Sequence, residues 1–235
     1  PDRALHPRRD ANRGGAAGMS ARHLDLDAIA AADRYKLLTA LVIPRPVAWV
    51  TTADRDCVVN AAPYSFFNVF GHDPALIVLG LQHHADGTAK DTERNIDATG
   101  EFVVNIATPD LVEAMVGTAA AYAPGESEPE ALGLALAPSM RVAPPRLADA
   151  PVAIECERMM AISLTTERSI LLGRAVALAM GRRGIKVSLA ARTTAELEAV
   201  REEIGRLGGM ADVFRTDMRH EDQVKRLVER TVHAF

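Results

Sequence analysis

The sequence predicts two architectures in succession along one chain: a mainly-β barrel or sandwich, followed by a partial α/β segment. The first prediction rests on short strand-like runs at regular spacing with few helices between them. The second rests on strand-like and helical runs that alternate after residue 160, as parallel βαβ units require. This change places a boundary near residues 157–165 and divides the chain into domains at 19–160 and 161–235.

Composition limits the classes of protein to consider. The chain has 235 residues, of which 48% are hydrophobic and 25% charged, as in an ordinary soluble globular protein. A net charge of -4 argues against a general nucleic-acid binder, and no apolar run approaches the ~20 residues that span a bilayer. Cys57 and Cys156 lack any paired spacing, which favours two reduced thiols in a cytoplasmic protein.

Residues 1–18 differ in composition from the rest. They are basic and rich in Gly, Ala and Pro, without the apolar centre of a secretory signal. Such a stretch buries too little apolar surface to offset chain entropy. We therefore expect a disordered tail or upstream translation, with a domain start at Met19.

The elements of residues 19–160 follow in order. A helical pattern over 26–41 ends before Pro44, where helices usually stop. Strand-like runs separated by turn signals are typical of antiparallel strands, and two polar amphipathic stretches between them predict helices. The predicted strands are 47–52, 75–81, 101–107 and 152–159, the helices are 90–99 and 109–122, and 123–151 is expected to be a long surface loop.

After residue 160 the predicted elements alternate. Thr193 or Thr194 caps one helix, and Gly184 ends another. Residues 160–178 also fit, loosely, a strand that continues the barrel. The predicted order is strand 161–166, helix 173–184, buried strand 185–192, helix 195–209, strand 211–217 and helix 220–235.

Three motifs in the first part supply groups suited to a ligand with a phosphate and a flat ring. IPRPVAWVTT (43–52) holds Arg45 between two prolines, with Thr51 at a strand end. NAAPYSFFN (60–68) combines hydrogen-bonding and aromatic side chains, and KDTERNI (90–96) places Lys90 and Thr92 at a helix start. Each also has a purely structural interpretation: a surface arginine at a rigid turn, a core strand, or an exposed helical turn.

Together with Asp33-Arg34-Tyr35-Lys36, these motifs resemble, in order and spacing over roughly 120 residues, the flavin reductase-like, FMN-binding split-barrel family. The resemblance implies a split barrel that moves hydride from NADH or NADPH to FMN, whose chemistry needs no catalytic acid or base from the protein. It also implies a homodimer and a partner oxygenase or oxygen as electron acceptor. The FMN-binding residues it implies are Arg45, Thr51, Asn60, Tyr64, Ser65, Phe66, Asn68, Lys90 and Thr92.

Metal binding is not expected. His83 and His84 are adjacent, so on a strand they would point to opposite faces, and His72 has no ligand spacing to either. Trp49 is expected in the core. The family usually continues with a further barrel strand and a Gly-rich aromatic tail, and that tail is missing here, so the barrel is expected to expose an unpaired edge.

The second part resembles the front half of the short-chain dehydrogenases. Aligned on Gly173, their TGxxxGxG motif reads Thr166–Gly173, with two glycines replaced by Glu167 and Leu171. By this resemblance Arg192 would meet an NADP 2′-phosphate and Asp217 would lie near the adenine, a vestigial nucleotide site. The family's Tyr-x-x-x-Lys pair would follow residue 235, so dehydrogenase catalysis is not expected.

Three hypotheses for function follow. The first is an FMN-binding, NAD(P)H-dependent flavin reductase. The second is a catalytically impaired fusion or remnant that binds flavin weakly or not at all. The third is an NADP-binding protein derived from a short-chain dehydrogenase.

Overall fold

A computed structural model describes residues 23–180, 186–206 and 210–234. The tail predicted at 1–18 lies outside these residues. The chain divides into two compact units between Pro44 and Arg45. In the first unit a 3-10 helix at Leu26–Ala28 is capped by Asp25 and followed by helix α1 at Ala31–Leu41, which confirms the helical prediction for 26–41.

Most strands of the second unit form one antiparallel sheet. Strands predicted at 47–52, 75–81, 101–107 and 152–159 are all present. The strands are β1 (Ala48–Ala53), β2 (Val59–Tyr64), β3 (Phe67–His72), β4 (Ala75–Gln82), β5 (Glu101–Ile106), β6 (Leu136–Ala137), β7 (Arg146–Leu147), β8 (Val152–Thr165) and β9 (Arg168–Met180). The seven-stranded sheet has the order β2-β1-β5-β8-β9-β4-β3, and β6 pairs with β7 apart from it.

Three helices accompany these strands: α2 (Asp91–Thr99), α3 (Val112–Gly117) and α4 (Glu128–Ala131). Helix α2 confirms the prediction for 90–99. Acidic residues in its first turn complement the helix dipole, and Gly100 ends it in the left-handed conformation with φ 78°. The helix expected at 109–122 is shorter, a 3-10 turn at Pro109–Leu111 followed by α3.

The sheet curves around one apolar core. Ala48 and Val50 on β1 face this core, where Phe102 of β5 and Ile96 of α2 also lie fully buried. Trp49, between them in sequence, faces the other way and packs with a second cluster, as a strand's alternation requires. Both faces of β1 are therefore covered, and the prediction that Trp49 is a core residue is confirmed.

The segment 123–151 is not the surface loop that was expected. It contains α4, β6 and β7, and it buries Val142, Leu147 and Ala150. Leu147 and Ala150 pack on Trp49, and Val142 packs on Val103 of β5. Trp49 and Val103 are large apolar side chains on the outer faces of β1 and β5, so they need a cover, and this segment provides it.

The predicted helix at 173–184 is wrong. Residues 168–180 form β9, which pairs with β4 on one side and with β8 on the other. The alternative of a continuing barrel strand at 160–178 is confirmed instead, and the strand predicted at 161–166 is the end of β8. The domain division itself stays a prediction, but the sheet runs through Met180, past the boundary placed near residue 160.

The last part of the chain has α/β order, as predicted. Strand β10 (Lys186–Ala191) pairs in parallel with β11 (Met210–Arg215), and helix α5 (Thr194–Arg206) connects them. Helix α6 (Glu221–Ala234) follows. From 187 to 191, β10 is half-buried to exposed, not fully buried as expected. Among the residues described, no helix is long and apolar enough to cross a membrane.

Candidate functional site

Three predicted site residues meet where β2 passes into β3. Arg45 precedes β1, and Ser65 and Phe66 form the turn between β2 and β3. The Arg45 guanidinium donates to Ser65 Oγ at 3.2 Å and lies 5.8 Å from the centre of the Phe66 ring. This groups a half-buried cation, a hydroxyl and an aromatic ring from two sequence motifs.

A second group lies behind this turn, between β2 and α2. Asn60 is buried, and its carboxamide is 2.9 Å from Thr92 Oγ1. The Thr92 hydroxyl also shares a side-chain hydrogen bond with Tyr64. Burial, and to a lesser degree the neighbouring carboxylates, raises the pKa of Tyr64 to about 12, so this phenol stays protonated at neutral pH.

Other predicted residues lie elsewhere. Thr51 is fully buried; its hydroxyl donates to Pro145 O at 2.7 Å and accepts from Asn105 Nδ2 at 3.1 Å. Asn68 is exposed on the edge strand β3, and its Oδ1 accepts from Val69 N. These two belong to neither group, and their predicted contacts with FMN stay predictions.

Lys90 is exposed at the N-terminus of α2, next to the buried Thr92. It occupies the N-cap position without a side-chain cap, so the first N–H groups of this nine-residue helix are not capped by it. Two residues further along, the Thr92 hydroxyl is already hydrogen-bonded to Asn60 and Tyr64. Of the two residues predicted at this helix start, Lys90 has an exposed side chain, whereas Thr92 is buried and hydrogen-bonded inside the protein.

Sequence reasoning missed Glu128. Its carboxylate is buried in the barrel and accepts from Ala61 N at 2.9 Å, and burial raises its pKa. The only sequence signal was Ser-x-x-Glu: Ser127 caps α4 by accepting from Glu130 N at 3.3 Å. That signal locates a helix start, but it does not indicate that Glu128, which lies between Ser127 and Glu130, is buried.

Sequence reasoning also missed a series of polar contacts around the buried Glu93. Ser169 Oγ donates to Glu93 Oε1 at 2.5 Å, and His83 Nε2 lies 2.7 Å from Glu93 Oε2. His83 Nδ1 contacts Thr166 O at 2.8 Å. These contacts link α2 to the β8–β9 turn. His83 and His84 follow β4 in a loop, not in a strand as assumed, and within the described ranges no group of three or more potential metal ligands occurs.

Arg192 and Asp217 do come together, in the C-terminal part. They line a cavity of about 300 Å³ with Arg215, His220 and Gln223. Asp217 is not free to meet a ligand, because Arg219 pairs with it at 2.6 Å and holds the pKa of its carboxyl well below the usual range. Its main-chain N–H donates to Gln223 Oε1.

The alignment of Thr166–Gly173 with a nucleotide-binding turn is wrong in structure. These residues form the β8–β9 turn and the first half of β9, inside the barrel sheet. Gly173 lies opposite Ile77 of β4, and the strand continues beyond it to Met180. A Cβ at Gly173 would lie 2.4 Å from Phe102 Cζ. The close approach of the Phe102 ring, and not the approach of a pyrophosphate, therefore explains why this position is a glycine.

Comparison with known proteins finds two families along this chain. A model of the flavin reductase-like domain matches residues 40–189, and one of the short-chain dehydrogenases matches residues 167–235. The chain therefore belongs to the flavin reductase-like domain family and carries a short-chain dehydrogenase-like segment at its C-terminal side. Both resemblances inferred from sequence are confirmed, as is the fold class.

Individual relatives support the assignment. A Deinococcus radiodurans protein is 42% identical over 157 residues, which is 65% of this chain and 69% of that protein. The 2-nitrobenzoate 2-nitroreductase NbaA of Pseudomonas fluorescens is similar in structure with a TM-score of 0.64 and 36% identity, covering 70% of this chain and 79% of that one. Nitrilotriacetate monooxygenase component B of Bacillus cereus has a TM-score of 0.67 and 37% identity, covering 70% and 83%.

The chain spans 69%, 64% and 63% of the length of three curated relatives that it matches. Family membership makes it a protein of flavin reductase type.

Proposed function

We propose that this chain binds FMN and reduces it with NADH or NADPH, and that the electrons pass on to a partner oxygenase or to oxygen. The observation that carries this proposal is the grouping of Arg45, Ser65 and Phe66 at the β2–β3 turn. Family membership supports flavin and nicotinamide nucleotides as the ligands.

The side chains present fit the chemistry of FMN. A phosphate needs cations and N–H donors, which Lys90 and the start of α2 supply. A flat amphipathic ring needs an apolar face beside polar donors, and the half-exposed Phe66 with Ser65 and Arg45 provides one. Bound FMN would supply the hydride-accepting ring, so the protein needs no acid or base of its own.

The chain's own residues hold these groups in place. Arg45 is oriented by its bond to Ser65 and its position over Phe66, which reduces the entropy lost when it meets an anion or the polar edge of a ring. Thr92, buried on α2, and Tyr64, half-buried at the end of β2, act on the site through the backbone that they support. Thr51 acts in the same way on β1.

We also propose a homodimer. Large apolar side chains are exposed on β3 and on the outer half of β8: Val69 at 59%, Phe70 at 69% and Leu164 at 56%. A second copy that covers them would remove apolar surface from water. Light scattering should give twice the chain mass, and Phe70→Glu should shift the protein to monomer.

For the electron acceptor, the names of the two solved relatives point in two directions. The Bacillus cereus protein is a monooxygenase component, whereas the Pseudomonas fluorescens protein is a nitroreductase. We favour an oxygenase or oxygen here. Consumption of oxygen by the NADPH-reduced protein, compared with reduction of a nitroaromatic acid, separates the two.

A second candidate function is favoured by the C-terminal cavity. We propose that the barrel runs through residue 180 and that a separate α/β segment begins at 186. In that segment Arg192 and Arg215 line a cavity suited to part of a nucleotide, and the candidate function is NADP binding. NADPH binding by calorimetry, lost in Arg192→Ala, would support it. Unchanged heats in that variant would leave the cavity without a nucleotide role.

The proposed reductase is tested by the visible absorbance of the purified protein with FMN, before and after NADPH is added without oxygen. Flavin that copurifies or titrates onto the protein, and that bleaches faster than free FMN, is the expected result. No bound flavin and no accelerated bleaching would favour an impaired remnant.

A further inference from the structure

Glu128 is a buried carboxylate that the proposed site does not yet use. It lies on α4, with only 6% of its surface exposed, and packs against β2. Burying a carboxylate is costly unless hydrogen bonds replace its water. Glu128 Oε2 accepts from Ala61 N at 2.9 Å, so one oxygen is satisfied by the main chain of β2.

The second oxygen determines how Asn60 must be oriented. An ionised carboxylate can only accept, so the group that faces it has to be a donor. With Nδ2 of Asn60 turned toward Glu128 Oε1, the two atoms are 3.2 Å apart. Asn60 Oδ1 then accepts from Thr92 Oγ1 at 2.9 Å and from Ala61 N at 3.2 Å, so donors and acceptors match throughout.

This orientation gives a row of hydrogen bonds with one direction. Thr92 donates to Asn60 Oδ1, and Asn60 Nδ2 donates to Glu128 Oε1. The other charged groups that face this row are Asp91 and Glu93 of α2, both acidic. The row therefore runs from the hydroxyl of Thr92 to the carboxylate of Glu128, beside the strand that leads to Ser65 and Phe66.

We propose that Glu128 is a positioning residue of the flavin site: it sets the orientation of the Asn60 carboxamide and holds the β2 main chain at Ala61. This inference rests on the proposed FMN binding, because β2 lines a ligand site only if that function is correct. Glu128 touches no ligand in this scheme and acts through Asn60 and Ala61.

The test compares Glu128→Gln with Glu130→Gln, an exposed glutamate on the same helix. Glutamine keeps the shape but replaces one acceptor with an N–H₂ donor, which then faces a second donor. We expect FMN binding, followed by quenching of flavin fluorescence, to weaken about tenfold in Glu128→Gln and to stay unchanged in the control.

A rescue separates positioning from simple loss of stability. In Asn60→Asp combined with Glu128→Gln, the new carboxylate accepts from Thr92, from Ala61 N and from the new carboxamide, so the match is restored. We expect affinity to return to within about threefold of the parent protein, a non-additive result. If Glu128→Gln alone fails to fold, recovery of folding by the double variant carries the same test.

The side-chain amide signals of Asn60 in NMR spectra of the flavin-free protein keep this inference separate from the proposed function. They should shift in Glu128→Gln and stay in place in Glu130→Gln. Failure of the parent protein to bind FMN would overturn the reductase but not the Asn60 orientation. Unchanged amide signals, or a double variant no better than the single one, would overturn the positioning role.

Discussion

Gly173→Ala tests whether β9 belongs to the barrel. A Cβ at this position would lie 2.4 Å from Cζ and 2.8 Å from Cε1 of Phe102, where carbon atoms normally stay about 3.5–4.0 Å apart. Phe102 has no exposed surface and lies in the main core cluster, so its ring cannot move toward solvent to relieve the clash. Overpacking of this kind costs about 1–3 kcal/mol.

Urea unfolding followed by the fluorescence of Trp49 measures that cost. Trp49 is the one tryptophan of the chain and lies in the barrel, buried to 1% exposure, so its emission reports this part of the molecule. We expect Gly173→Ala to lower the unfolding free energy by about 1–3 kcal/mol.

Two variants serve as controls. Gly205→Ala lies in α5 with nothing within 4 Å of its Cβ, so it should not destabilise the barrel transition. Phe102→Leu removes ring atoms, and combined with Gly173→Ala it should cost less than the sum of the two single changes. If Gly173→Ala stays within about 0.5 kcal/mol of the parent protein, the packing of β9 on Phe102 is refuted.

Three further predictions follow from single contacts. Lys90→Ala should weaken FMN binding by about 1–3 kcal/mol, since a charge-assisted bond to phosphate is lost; unchanged affinity in a fluorescence titration would remove Lys90 from the site. Glu155→Gln should lower the unfolding free energy by about 1–3 kcal/mol, because this buried carboxylate accepts from both main-chain N–H groups of 140–141; an unaltered urea midpoint would contradict this. At about pH 8 a thiol reagent should modify Cys57 but not Cys156 in the folded protein, since burial raises the pKa of Cys156 to about 12 and keeps the thiolate scarce; Cys57→Ser should abolish the fast reaction.

The helix predicted at 173–184 shows where local sequence is insufficient. Ala and Leu in AVALAM are strong helix formers, and propensity alone favours a helix. In the structure residues 175–180 pair with β8, and the preceding residues of the same strand also pair with β4, so sheet pairing outweighs the propensity. No pattern within the stretch itself reports those neighbours.

The segment 123–151 was misjudged for a related reason. Its prolines, glycines and acidic residues are typical of exposed loops. Yet it lies over Trp49 and Val103, whose outward-facing apolar side chains require a cover. Because burial depends on what lies above a strand, the buried Glu128 was invisible in the sequence, whereas the polar groups of the nearby NAAPYSFFN motif were not.

By itself the sequence determined the family, the parallel βαβ order of the last part, and the residue types available to a flavin site. These depend on spacing and side-chain chemistry, which are local. Only the tertiary structure decided that Arg45 meets Ser65, that the Thr92 hydroxyl is hydrogen-bonded to Asn60, and that residues 168–180 form a strand of the sheet. Those outcomes depend on contacts between residues far apart in the chain, which folding brings together and sequence spacing does not record.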